Sequence, residues 1–209
     1  MVLLYSALLM VTAFWLGSCP FSVWIGRRFL GKDITEYGDH NPGATNVFRA
    51  GGRGWGFTAV FADILKGAPP ILFAHYYLGL SEPSLYAMAL LAVLGHMYSP
   101  FLGFRGGKAT ATTGGVLLVL PHLDVFIAFV LLMAVAFLFI EMESDAWEVT
   151  LSIIGTLVYV IVAGKDVWTV LFVGSLLLVL GTKHIQGLRT APHVRVKPVS
   201  WFNSIRRGA

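Results

Sequence analysis

Residues 2–26 read VLLYSALLMVTAFWLGSCPFSVWIG, without one charged side chain. A helix this long and this apolar is matched to the roughly 30 Å hydrocarbon core of a bilayer. It does not stand alone. Residues 55–80 carry only Asp63 and Lys66 as charges, and 85–104, 109–123, 125–140, 149–164 and 167–182 carry none. These seven runs predict an all-α integral membrane protein, a bundle of about seven transmembrane helices. The later runs approach the lower limit for spanning, roughly 17 residues, so some are expected to tilt or insert only partly. Composition agrees, since 56% hydrophobic and 12% charged residues leave far more apolar surface than a 209-residue soluble domain can bury.

Basic residues set the orientation. Arg27, Arg28, Lys32, Arg49 and Arg53 lie in the first loop, Arg105 and Lys108 in the third, and Lys183, Arg189, Arg195, Lys197, Arg206 and Arg207 toward the end. With an odd number of spans all three groups fall on one side. The N-terminus is therefore expected outside and the C-terminus in the cytoplasm. The acidic stretch 141–148 falls on the same side, but acidic residues weigh little in this rule. Residues 1–188 read as one polytopic domain and 189–209 as a basic cytoplasmic tail able to touch anionic headgroups. Leu16-Gly17-Ser18-Cys19 has the look of a lipoprotein cleavage box. No Lys or Arg precedes it, so the run reads as a retained span and Cys19 as packing.

The polar, glycine-rich backbone lies on the cytoplasmic side, and function is expected there. In Gly38-Asp39-His40-Asn41-Pro42-Gly43-Ala44-Thr45-Asn46, followed by Arg49, glycines let backbone N–H groups converge, Thr and Asn add donors, and Arg49 supplies a fork suited to phosphate oxygens. By composition alone, an ordinary Asn-Pro-Gly turn beside a solvated arginine fits slightly better. Gly95-His96 runs on to Gly106-Gly107-Lys108, where a glycine pair permits close approach to a phosphate and the ammonium adds a point charge. A basic pair at the membrane interface is the competing reading of Arg105 and Lys108. His96, costly at membrane depth, either positions a helix or contacts ligand. Asp63 and Lys66, at i and i+3, read as a structural pair that lets the second span insert. Two anion cradles on one face point to two phosphate-bearing ligands, or to one ligand with two acidic groups.

At these residues the chain resembles the PlsY family, the bacterial acyl-phosphate:glycerol-3-phosphate acyltransferases. The resemblance rests on Leu16-Gly17-Ser18 with Pro20-Phe21, the block from Asn41 to Asn46 with Arg49, Asp63-Ile64-Leu65-Lys66-Gly67, and Gly95-His96 through Lys108, in order over more than half the chain. It implies a seven-helix bundle in the bacterial cell membrane with its active site facing the cytoplasm. The implied reaction transfers an acyl group from acyl phosphate to the 1-hydroxyl of glycerol 3-phosphate, giving lysophosphatidic acid without metal or other cofactor. Its partners are those two substrates and membrane lipid, with no nucleic acid. Residue by residue, the resemblance implies catalytic roles for Lys108, Asn46 and Arg49. It implies substrate binding by Asn41, Gly43, Thr45, His96, Gly106, Gly107, Ser144 and His184.

The chain departs from the family pattern at several positions. Asp39 stands where the family has a serine, His40 and Ala109 where it has glycines, Trp147 where a second serine belongs, and Gly187 where an asparagine is expected. A carboxylate at Asp39 is expected to repel an anion. These departures leave open a homologue that binds anionic lipid or phosphate without catalysis, or a small transporter using Asp63 and Lys66. An acyltransferase of the His-x4-Asp type is excluded, because none of the six histidines has an aspartate five positions on.

Overall fold

The computed structural model describes residues 2–141, 145–189 and 195–196. Its architecture is helical: α1 (Val2–Ser18), α2 (Phe21–Ile25), α3 (Ala44–Arg49), α4 (Arg53–Leu65), α5 (Ala68–Tyr76), α6 (Glu82–Met97), α7 (Thr110–Val119), α8 (Leu123–Phe139), α9 (Asp145–Val162) and α10 (Val167–Leu188). A two-residue antiparallel ladder, β1 (Ile140–Glu141) with β2 (Arg195–Val196), is a minor addition to the all-α expectation.

Among the described residues, five helical stretches are long and apolar enough to cross a membrane: Leu3–Leu30, Arg53–Tyr76, Glu82–Leu102, Asp145–Val162 and Val167–Leu188. The apolar helices Thr110–Val119 and Leu123–Phe139 are shorter. The seven runs of the sequence therefore each become helical, and of the later, shorter runs α7 is cut shortest, because Leu120 turns extended just before Pro121.

Two proline breaks shape the bundle. Pro20 has no N–H, so α1 stops at Ser18 and α2 starts at Phe21. The carbonyls released there find partners across the bundle, since Ser99 Oγ donates to Ser18 O at 2.6 Å and Lys66 Nζ to Cys19 O at 2.9 Å. Buried backbone in lipid tolerates such breaks only when it is re-satisfied in this way. The second break, Gly67-Ala68-Pro69-Pro70, separates α4 from α5 and places Lys66 at the joint.

α1 packs against α6 backbone to backbone: a Cβ on Gly17 would overlap the Ala92 carbonyl, and one on Gly95 would overlap that of Phe14. Small residues permit this closeness, as in other membrane bundles. The main core lies between α6, α7, α9 and α10 around Leu85, Met88, Val93, Leu117, Ile153 and Leu176. Leu131, Val135 and Phe137 of α8 face outward, as lipid contact requires. Residues 31–52 are a folded cap with a core of its own, in which Ile34 and Val47 are fully buried against Val23 and Ala59. Asp33 fixes the cap's entry, accepting from the Thr35 hydroxyl and amide and from Arg27 at 2.7 Å. The Thr35 hydroxyl and then Arg27 hold its carboxyl at a pKa of about 2.

Candidate functional site

Both sequence segments meet at one end of the bundle. Asn41 joins them: its Oδ1 accepts the Lys108 amide at 3.1 Å, and its carbonyl accepts Asn46 Nδ2 at 2.8 Å. Asn46 is buried at the start of α3, and its Oδ1 accepts from Arg49 Nη1 at 2.9 Å, orienting the guanidinium. Gly43 is the N-cap of α3, with no room for a side chain beside the Asn41 amide. Thr45 is exposed on the first turn of that helix, and its hydroxyl stands outside the network.

The donors converge on a carboxylate. Asp39 Oδ2 accepts from Lys108 Nζ at 2.7 Å; its Oδ1 accepts from Asn46 Nδ2 at 3.1 Å and Arg49 Nη1 at 3.2 Å, with the Asn41 amide at 3.5 Å. Burial opposes ionisation of Asp39, but Lys108 and then Asn46 outweigh it and hold the carboxyl below its ordinary value. Lys108 is also clamped by Asp145, at 2.6 and 2.8 Å. Burial disfavours the ammonium, yet Asp145 and Asp39 together raise its pKa above the usual lysine value. The carboxylate expected to repel an anion sits among four donors as their internal anion.

Beneath lies a second polar layer. Gly107 donates its amide to the His96 carbonyl at 3.0 Å, and a Cβ on Gly106 would overlap that carbonyl. His96 is buried, with Nδ1 3.2 Å from Thr112 Oγ1 and 3.9 Å from Asp63 Oδ1. Asp63 is buried with Lys66 at 2.9 Å and accepts from Ser22 Oγ at 2.5 Å. The i, i+3 pair therefore forms as expected and is tied into three other helices. Lys183 donates to the Gly106 carbonyl at 3.2 Å. His184 is fully buried within electrostatic range of Asp145, Lys108 and Asp39, and neither ring nitrogen has a hydrogen-bond partner among the described residues. Ser144 lies outside the described residues.

Asp145 and Thr112 went unnoticed in the sequence. Asp145 looked like one acid among several, although its place at the first position of an apolar helix, where an anion suits the helix dipole, is a usable signal. The two lost glycines also gain meaning, since His40 (φ 59) and Ala109 (φ 61) keep the left-handed backbone that glycine adopts freely.

The fold and site define a polytopic membrane protein with Lys108, Arg49 and Asn46 gathered around carboxylates at one end. The model of the glycerol-3-phosphate acyltransferase family matches residues 7–191, and the chain belongs to that family. It is 44% identical over 141 residues to a glycerol-3-phosphate acyltransferase of Leptospira borgpetersenii serovar Hardjo-bovis, an alignment covering 66% of this chain and 65% of that relative. It is 32% identical over 198 residues to one from Streptococcus sanguinis, covering 92% and 91% of the two chains. The fold matches a crystal structure of PlsY, an integral membrane glycerol 3-phosphate acyltransferase in its glycerol 3-phosphate form, with TM-score 0.78 and 31% identity over 88% of this chain and 90% of that one.

Proposed function

We propose that this protein transfers an acyl group from acyl phosphate to the 1-hydroxyl of glycerol 3-phosphate, giving lysophosphatidic acid for phospholipid synthesis. The observation that carries the reading is the convergence of Lys108, Arg49, Asn46 and the Asn41 amide on one carboxylate. A substrate phosphate offers the same charge and more acceptor oxygens, and takes the place of Asp39 when it binds. The acceptor's hydroxyl oxygen attacks the acyl carbonyl carbon. As the new C–O bond forms, the C–O bond to phosphate breaks, and the departing phosphate takes the hydroxyl proton. An acyl phosphate is already activated, so positioning and charge stabilisation suffice. Lys108 and Arg49 hold the anionic oxygens, Gly106 and Gly107 let His96 pack against the backbone that carries Lys108, and the His184 ring, whose nitrogens have no hydrogen-bond partner among the described residues, offers a hydrogen bond. His96 acts through Gly107 as a positioning residue.

The family membership and the PlsY-like fold support a place in the bacterial cell membrane. In the topology we propose, α1–α2, α4–α5, α6, α7, α8, α9 and α10 alternate across the bilayer. That puts Arg49, Lys108, Asp145 and Lys183 together on the cytoplasmic side, Met1 outside, and the basic tail 189–209 in the cytoplasm. A second reading, an anion-binding homologue without turnover, draws on the double carboxylate clamp of Lys108. The transporter reading has less support, because Asp63 and Lys66 are engaged by Ser22 and the Cys19 carbonyl. Offering the purified protein palmitoyl phosphate with radiolabelled glycerol 3-phosphate separates these: labelled lysophosphatidic acid establishes the enzyme, and binding without product establishes the second reading.

A further inference from the structure

At the opposite end of the bundle, three side chains that the acyl-transfer reading does not use converge from three separate elements. Glu82 opens α6, His122 lies in the turn between α7 and α8, and Asp166 is the N-cap of α10. We propose that Glu82, His122 and Asp166 form a divalent-cation site of the kind zinc occupies, clipping three interhelical turns together.

One ligand atom from each residue lies within 4.8 Å of the other two. His122 Nε2 is 3.6 Å from Glu82 Oε2 and 3.5 Å from Asp166 Oδ2. Those separations are too long for a charge-assisted hydrogen bond, which closes to about 2.8 Å. They match the edge of a tetrahedron around a cation with bonds of about 2.1 Å, roughly 3.4 Å. The Nε2 atom itself is buried and has no hydrogen-bond partner among the described residues, a costly state for an imidazole unless something binds it.

The carboxylates are held in place from behind, as metal ligands usually are. The Tyr86 hydroxyl lies 3.2 Å from Glu82 Oε2 and 2.8 Å from Thr169 Oγ1, and Thr169 donates to Asp166 Oδ2 at 2.6 Å, so a chain of hydroxyls links the two carboxylates. The Trp168 and Thr169 amides pin the other Asp166 oxygen at 2.8 and 3.1 Å. Lys165, the neighbouring cation, is committed to Asp124 at 2.7 Å, leaving the two clustered carboxylates to another positive charge. Each of the three side chains is partly exposed, so a cation has a path in and water can complete the coordination.

The test is zinc binding by the full-length protein in detergent after chelator treatment, by competition with a fluorescent zinc indicator and by thermal unfolding with and without zinc. The wild type takes up about one zinc per chain and gains a melting temperature that chelator reverses. His122→Ala and the gentler Glu82→Gln lose the uptake and the shift, and Tyr86→Phe weakens affinity by at least ~10-fold. Absence of zinc uptake by the wild type, or uptake by both ligand variants equal to it, overturns the proposal.

Discussion

Replacing Asp39 by serine tests whether its carboxylate stands where the substrate's phosphate binds. Asp39 is 36% exposed, and two of its four donors, Lys108 and Arg49, are charged. A hydrogen bond to a charged group contributes about 1.5–3 kcal/mol when buried, and an exposed ion pair about 0–1 kcal/mol. Asp39 lies between these limits, and Asp145 still holds Lys108 once Asp39 is gone. Displacing Asp39 therefore costs an incoming phosphate about 1–2 kcal/mol, or ~5–30-fold in apparent affinity. In a steady-state assay with varied glycerol 3-phosphate and acyl phosphate, Asp39→Ser should lower KM for one of them by that factor while kcat changes little. An unchanged or raised KM for both would refute the internal-anion account, and loss of kcat alone would mark Asp39 as part of the chemistry.

Lys108→Ala should reduce kcat/KM by at least ~100-fold, since the proposed mechanism puts its charge beside the anionic oxygens of the transition state, with the melting temperature nearly kept; normal turnover would sink the site assignment. Asp63→Asn, which leaves Lys66 buried and unpaired, should destabilise the bundle by about 3–5 kcal/mol, and Asp63→Asn with Lys66→Met should recover part of that in a thermal-unfolding assay. Ala109→Gly should stabilise by about 0.5–1 kcal/mol, relieving a left-handed residue while adding some unfolded-state entropy; a lower melting temperature would contradict the backbone reading. For the Asp39–Lys108 pair the signs run in opposite directions. Asp39 is depressed in the fold, so its contribution is present above its unfolded pKa of 3.8 and is lost as pH falls through the folded value. Lys108 is raised, so its contribution is present below 10.5 and is lost as pH rises through the folded value. The melting-temperature difference between wild type and Asp39→Ser should accordingly stay flat between about pH 5 and about pH 9.

The membrane architecture was legible because lipid permits few ways to hide a backbone, and each uncharged run duly became a helix. Pro121 showed where α7 would be cut short, but uncharged length alone overstated it. The i, i+3 spacing of Asp63 and Lys66 foretold their pairing; that Ser22 and a carbonyl freed by Pro20 complete the group depends on packing between helices, which local spacing cannot carry. Glycines, amides and cations marked out the two segments, yet only the fold brings Asn41 onto the Lys108 amide. That Lys108, Arg49 and Asn46 themselves hold the Asp39 carboxylate likewise depends on the fold and not on local spacing.

The most direct test of the central claim is acyl transfer by the purified, folded protein, with palmitoyl phosphate or palmitoyl-CoA as donor and glycerol 3-phosphate as acceptor. Lysophosphatidic acid formed from palmitoyl phosphate and not from palmitoyl-CoA is the predicted result. No product from either donor, by protein that retains its melting transition, would contradict it.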